Sequence, residues 1–400
     1  MRIIINGINY HPELTGIGKY TGEMAEWLVE NGHEVWVVTA PPYYPSWKIS
    51  DGYSSFFYKS EVVNGVKVLR CPIWVPAKPS GIKRLIHLAS FALSSMPVML
   101  WKSWSLKPDI VLVVEPPFFC SPVALLSSKL GRSKSWLHVQ DFEIDAAFNL
   151  GMLKSVRLKS WVTAVESWLM KKFDTVSTIS VRMVERLESK GVESQKCQLF
   201  ENWVETDSIY PMKGRVPLYK QLELPENRSI ILYSGNMGEK QGLELIVEAA
   251  KSLKDRPDLM FLLCGTGSSR ERLQTMSESL DNVRFLPLQP LDKLNELLNL
   301  ADIHLLPQRS GAEDLVMPSK LTNMMASGRP IVATAAKHTQ IAKVLIDSGI
   351  VVEPDDSEAF CRAITTLIDN SDEAKRLGSN GRKYVEQHWN KREVLSKVFS

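Results

Sequence analysis

Short, almost wholly apolar runs recur along this chain and alternate with segments of helical periodicity. A strand that is apolar along its whole length must be covered on both faces, which is the condition of a parallel sheet sandwiched by helices. In the first half the runs are Arg2–Ile5, Glu34–Thr39, Val66–Arg70, Ile110–Glu115, Ser135–Val139, Thr175–Ser180 and Cys197–Phe200. Tyr20–Glu30 reads as an amphipathic helix with Met24, Trp27 and Leu28 on one side, and a second helix runs from about Val156 to Lys172. The pattern starts afresh in the second half at Ser229–Ser234, Met260–Cys264, Val283–Leu286, Ile303–Leu306 and Ile331–Thr334.

Between the two series, residues 205–227 hold Asp207, Pro211, Gly214, Pro217 and Pro225 and read as a linker. A last helix, Asn380–Phe399, lies beyond the final strand signal. The chain of 400 residues is too long for one ordinary core. The expected architecture is α/β, with Rossmann-like doubly wound domains at 1–205 and 206–380 and a helix at 381–400 returning to the first. Two such sheets would leave a cleft along the carboxyl ends of their strands, where ligands bind in this class.

The five cysteines, at 71, 120, 197, 264 and 361, show no paired spacing, which points to a reducing compartment and away from a metal cluster. Met1-Arg2-Ile3-Ile4-Ile5-Asn6 is too short for a signal peptide and reads as a first strand. Residues 1–200 carry 23 Lys/Arg against 17 Asp/Glu, hence +6, and the remainder 25 against 28, hence −3. The basic half suits an anionic membrane surface, although ordinary surface variation gives the same split. No nucleic-acid partner is expected.

The stretch Met317-Pro318-Ser319-Lys320 carries the first chemical signal. Pro318 forbids a helix through it, Ser319 can cap a new one, and Lys320 then sits where a cation opposes the helix dipole. Lys320 and the free N–H groups after Ser319 together suit a phosphate. Gly235-Asn236-Met237-Gly238-Glu239-Lys240 occupies another exit from a strand, and Gly265-Thr266-Gly267 a third. Lys240 is either a solvated lysine or a second phosphate contact. In the first half, Gly16 and Gly18 lie between strand and helix, as a tight turn or as a close approach of backbone to ligand. They lack the third glycine of the dinucleotide fingerprint.

Taken in order, NYHPELTGIGKYTGEMAEWLVENGHEV, TAPPYYP, LYSGNMGEKQGLE and MPSKLTNMMASGRPIV resemble a family 4 glycosyltransferase of the GT-B fold over nearly the whole chain. The resemblance implies retaining transfer of a sugar from a nucleoside diphosphate sugar, with no cofactor and no bound metal. It places Gly16, Gly18, Asn236, Lys240, Gly265, Gly267, Ser319, Lys320 and Asn323 around the donor. Asn236 stands where the family has a basic residue, and Asn323 where it has an acid that reaches the ribose hydroxyls. The family's earlier acid has no match in register, since Leu315 takes the position. Asp314 beside it is assigned to the donor sugar, with a solvated loop carboxylate as the alternative.

In the stretch His138-Val139-Gln140-Asp141-Phe142-Glu143, Gln140 holds the family's histidine position. His138 reads as a satisfied core residue. Asp141, at the strand's carboxyl end, is the candidate to touch sugar or acceptor, with Glu143 and Asp145 close behind. Tyr43, Tyr44 and Trp47 lie in a proline-broken aromatic loop, which either packs on itself or stacks on an acceptor sugar. Residues 85–101 form an apolar helix with Lys83, Arg84, Trp101, Lys102 and Trp104 at its ends. It suits either a helix in the headgroup region or a buried cover for the sheet. The expected partners are a nucleotide sugar, a lipid-linked oligosaccharide of exopolysaccharide synthesis and the inner face of the plasma membrane. An epimerase on the same fold, or a binding protein without turnover, are the competing readings.

Overall fold

The apolar runs become parallel strands, as burial on both faces requires, and two strands join them that the runs do not mark. The computed structural model describes residues 1–13, 16–78, 81–145, 156–309 and 319–399. The chain divides into two units, Met1–Glu201 and Asn202–Ser400.

In the first unit the strands are β1 (Arg2–Asn6), β2 (Glu34–Thr39), β3 (Lys59–Val63), β4 (Val66–Arg70), β5 (Ile110–Glu115), β6 (Lys134–Val139), β7 (Thr175–Thr178) and β8 (Cys197–Leu199). Their order across the sheet is β3-β4-β2-β1-β5-β6-β7-β8. All neighbours are parallel except β3 and β4. Ile3 lies beside both Val35 and Ile110, so the order of connection reverses at β1. The helices are α1 (Gly16–Glu30), α2 (Gly81–Leu106), α3 (Ser121–Gly131), α4 (Val156–Met170) and α5 (Val181–Ser189).

β3 is one strand missing from the sequence expectation. Its signal is Asn64-Gly65, both at positive φ (49° and 81°), which makes the two-residue turn that matches the twist of a hairpin. Lying at the edge with one strand partner, β3 is largely exposed and so carries no apolar run.

The second sheet has the order β11-β10-β9-β12-β13-β14, all parallel. Its strands are β9 (Ser229–Ser234), β10 (Leu259–Cys264), β11 (Val283–Leu286), β12 (Ile303–Leu306), β13 (Ile331–Thr334) and β14 (Gly349–Val352). β14 is the second unmarked strand, a half-buried edge of four residues. The order reverses at β9, which pairs β10 on one side and β12 on the other. Around the sheet lie α6 (Pro217–Gln221), α7 (Glu244–Ser252), α8 (Arg270–Met276), α9 (Leu294–Leu300), α10 (Ser319–Ala326), α11 (Gln340–Val344), α12 (Ser357–Asp369), α13 (Ser371–His388) and α14 (Lys391–Phe399). One face of the sheet packs Ile231, Tyr233, Phe261 and Leu263 with Ile246, Phe360 and Ile364 from α7 and α12. The other sets Leu306, Ile331 and Ala333 against Leu321, Met324 and Met325 of α10.

Two expectations are corrected here. The stretch 205–227 is not a free linker, because Val216, Leu218, Tyr219 and Leu224 are buried against Ile230, Leu232 and Leu262. The Arg382 guanidinium also donates to the carbonyls of Thr206 (3.1 Å), Ile209 and Ala326 (3.0 Å), fastening this stretch to the tail of α10. The last helix is not continuous either. It breaks at Trp389, which is buried, and Asn390, whose Oδ1 accepts the Arg392 N–H at 2.9 Å and starts α14.

Candidate active site

A doubly wound sheet opens a crevice where its connections diverge. In the second unit that point lies beyond the carboxyl ends of β9 and β12, and Gly235 follows one of them directly. Its φ is +142°, which favours glycine, and the space a Cβ would take faces Lys320 Cδ at 3.5 Å and Nζ at 3.9 Å. Lys320, in the first turn of α10, thus lies across the bare backbone of Gly235. Its Nζ stands 4.2 Å from the centroid of the Tyr233 ring. Burial pushes the amine down to about 7. Among the described residues no carboxylate pairs with it. A half-buried amine beside a glycine and the first turn of a helix is poised to take up a proton together with an anion.

One turn further along α10, Asn323 presents an Oδ1 that is buried and accepts no hydrogen bond. An acceptor left in that state is destabilising until a donor such as a hydroxyl reaches it. Lys320 and Asn323, three apart, share a face of α10.

Gly265 and Gly267 make a close approach of one loop to another. A Cβ on Gly265 would stand 1.9 Å from the Gly235 carbonyl oxygen, and one on Gly267 would stand 2.4 Å from that of Met237. Hydrogen bonds from Gly235 N–H to Cys264 O (2.9 Å) and Met237 N–H to Thr266 O (2.8 Å) hold the two loops together. Glycine is required for loop-on-loop packing, which fixes Gly235 under Lys320. Asn236 is exposed. Lys240 lies in a 3-10 turn, Glu239–Gln241, and Ser319 opens α10. Asp314 and Pro318 lie outside the described residues.

Two arginines that sequence reasoning passed over stand nearby. Arg309 donates to Glu244 at 2.8 Å, and Arg272 reaches Glu239 at 3.0 Å and also pairs with Glu244. Their charges are committed to those carboxylates.

In the first unit the crevice point lies beyond β1 and β5. α1 begins at Gly16 (φ +59°), a turn earlier than its periodicity suggests, and nothing lies within 4 Å of where a Gly16 Cβ would be. Gly18 is buried, and a Cβ there would press on Glu13 at 3.1 Å. Glu13 is buried too, and burial pushes its carboxyl up. It accepts the N–H groups of Tyr43 (2.8 Å) and Tyr44 (2.9 Å) and the Asn9 amide (2.7 Å). Gly18 therefore serves the carboxyl that anchors the aromatic loop.

That loop answers its two readings residue by residue. Tyr43 is 5 % exposed, edge-on to Trp47 (5.7 Å) and His87 (4.7 Å), so its ring faces are taken up by packing. Trp47 is half-buried at φ 53°, and Tyr44 is exposed.

The end of β6 separates its three carboxylates. Asp145 pairs with Arg186 at 3.0 Å and Lys190 at 3.2 Å. Glu143 accepts the Phe118 N–H at 3.1 Å, and burial pushes its carboxyl up. Asp141 is exposed at the strand's carboxyl end. His138 is a core residue, held between Ser177 Oγ and Gln140 Nε2 at 2.9 Å each, and burial drives it down to about 3.

Glu115, which ends β5, was not singled out from the sequence. It is fully buried, and neither carboxyl oxygen has a hydrogen-bond partner. Burial first, then the carboxylates of Glu166 and Glu143, raise it well above the ordinary range. The signal available was a charge closing an apolar strand immediately before Pro116-Pro117. Among the described residues no three His, Cys, Asp or Glu side chains gather as a metal set.

Comparison with known proteins identifies the family. Residues 15–203 match the family described as glycosyl transferase 4-like domain, and residues 217–384 the family of glycosyl transferases group 1. A putative colanic acid biosynthesis glycosyl transferase, WcaI, from Escherichia coli (strain K12) is 43% identical over 406 residues, covering 99% of this chain and 98% of the relative. Among solved structures, sucrose-phosphate synthase from Thermosynechococcus elongatus superposes with a TM-score of 0.75 at 18% identity, over 99% of this chain and 97% of that one. Anabaena HepE in complex with UDP-glucose gives 0.71 at 14%, over 100% and 98%. Identity sustained from end to end, with a family match in each half, establishes that the chain belongs to the family 4 glycosyltransferases of the GT-B fold.

Proposed function

We propose that the chain is a retaining transferase that moves a sugar from a nucleoside diphosphate sugar to a lipid-linked oligosaccharide in synthesis of a colanic acid-like exopolysaccharide. The observation that carries this reading is Lys320, a cation without a described carboxylate partner, laid over Gly235 beside the first turn of α10. The departing diphosphate gains negative charge as the sugar leaves, and a preorganised ammonium with N–H dipoles stabilises it. Within the second unit Lys240 is assigned to the diphosphate, Asn323 to the ribose and Asp314 to the sugar; in the first unit the Gly16 turn is assigned to the donor and Asp141 to the sugar being moved. No resident metal takes part. Chelator treatment is expected to leave turnover unchanged.

The enzyme works on the cytoplasmic side, held peripherally on the inner face of the plasma membrane. α2 is long and apolar enough to cross a membrane, yet its inner face packs through Leu88, Phe91 and Met99 in the first unit's core. Its outer face exposes Ile82, Ile86, Leu93, Trp101 and Trp104 near Lys83 and Arg84. Aromatic and basic side chains together suit the headgroup layer. Sedimentation with anionic vesicles tests this, and Trp101→Ala with Trp104→Ala should weaken it.

The reaction is tested by incubating purified protein with nucleotide sugars and membrane extract, and following both diphosphate release and labelled lipid. Interconversion of the sugar without an acceptor would favour an epimerase, and binding without turnover a non-catalytic protein.

A further inference from the structure

A cavity of about 550 Å³ opens in the first unit, lined by the segments that follow β2 and β4 and by α2. Its walls include Trp47, Phe56, Ile73, Trp74, Ser90 and Ser94. The volume is that of a small-molecule site. The wall is built, not incidental. Trp74 N–H donates to Ser90 Oγ at 3.0 Å, and Ser94 Oγ donates to Pro72 O, pinning the segment after β4 onto α2. Tyr58 Oη donates to Ser94 O at 2.9 Å and ties the stretch after Phe56 to the same helix.

Both hydroxyls are thereby turned to backbone, so the surface they leave is carbon. Ile86, Ser90, Leu93 and Ser94 fall on one face of α2 by helical spacing. The cavity therefore continues into exposed apolar surface at Ile86 and Leu93, and at Phe56, which is 81% exposed. The mouth is basic. Lys48 lines it and is exposed. Arg84, also exposed, lies on α2 three residues before His87, whose ring stands 5.2 Å from that of Trp47.

An apolar slot with cations at its mouth is complementary to one class of molecule, a hydrocarbon chain ending in phosphate. We propose that this cavity holds the chain of a phosphorylated, isoprenoid-like amphiphile, with Lys48 and Arg84 facing the phosphate. This deepens the lipid-linked acceptor reading and rests on it. The slot takes the part of the acceptor that never reacts. A chain lying in the slot would leave the bilayer over the stretch nearest its phosphate.

The experiment uses the full chain and farnesyl phosphate below its micellar concentration, by isothermal titration calorimetry. Farnesol supplies the chain without charge, and inorganic phosphate the charge without chain. Saturable binding of farnesyl phosphate at least about tenfold tighter than either is expected. Ala77→Trp, at an exposed lining position, fills the slot and should weaken it by about tenfold or more. Phe56→Ser, at a residue too exposed to be needed for folding, should weaken it less. Lys48→Glu should weaken farnesyl phosphate and spare farnesol. The proposal is overturned if the wild type gives no saturable heat, or if Ala77→Trp with an unchanged melting temperature binds as the wild type does. Binding without sugar transfer would leave the slot standing and remove the transferase reading. Transfer to a lipid-linked acceptor at equal rates by wild type and Ala77→Trp would do the reverse.

Discussion

The two units share one plan, a parallel sheet whose order reverses at a central strand, yet their strand ends carry opposite chemistry. At or just past the carboxyl ends of β1, β5 and β6 stand Glu13, Glu115, Glu143 and Asp141. Beyond β9 and β12 the central group is Lys320, with bare glycine backbone beneath it. Net charge runs the other way, +6 over residues 1–200 and −3 over the rest. Charge summed over half a chain therefore reports the solvated surface, whereas the groups at the strand ends are set by a few residues in the loops. The scaffold supplies position, and the loops supply sign.

The largest test of this contrast concerns glycine. Gly265→Ala places a methyl group 1.9 Å from a carbonyl oxygen, and should destabilise the second unit by more than about 4 kcal/mol. Gly16→Ala meets empty space and should lose only the left-handed preference, about 1–2 kcal/mol. Denaturant melts of both variants would show it, and equal losses would mean that the second unit's loops are no more tightly packed than the first's.

Lys320→Ala should lower turnover by about 100-fold or more. Its charge also has a pH signature. The free amine titrates near 7, so above that pH binding of a diphosphate must take up a proton. Affinity for a nucleoside diphosphate should then fall by about tenfold per pH unit until the bound-state value is reached. Lys320→Met should flatten the profile, and a slope that survives in that variant would place the titrating cation elsewhere.

Glu115 supplies the mirror-image prediction. Its folded-state value is raised, so the native state holds a proton that the unfolded chain gives up. The stability this confers is full below the ordinary carboxyl range and is lost as pH rises towards the folded value. Glu115→Gln should therefore melt like the wild type at about pH 4 and above it at about pH 8. Identical melting temperatures at both would show that water or a neighbour already balances the group. Smallest of all, Asn323→Ala removes one neutral acceptor and should weaken the donor by about fivefold. An unchanged donor affinity would remove Asn323 from the ribose.

Much of the fold was legible because strands covered on both faces announce themselves as apolar runs. What escaped did so for identifiable reasons. β3 is an exposed edge, so its only mark is the Asn64-Gly65 turn. Residues 205–227 have the proline and glycine content of a spacer, and the burial of Tyr219 and Leu224 depends on partners far along the chain. At the site, Lys320 could be found because a cation in a first helical turn is locally unfavourable. Gly265 and Gly267 are legible as a glycine-bearing exit from a strand, but their close packing on another loop depends on a partner far along the chain. Glu115 was invisible because a charge at the end of a strand ordinarily points to water. Only the packing of β5 among its neighbours shows that it does not.

Arg382 rivets residues 206 and 209 to the tail of α10, and a methyl group on Gly328 would strike Pro211 at 2.8 Å. The helix that presents Lys320 is thus seated, at its other end, in a mortise cut from what looks like spacer. Lengthening that stretch would tilt the ammonium as well as slacken the joint. A segment whose composition invites insertions is accordingly among the least permissive places to make one.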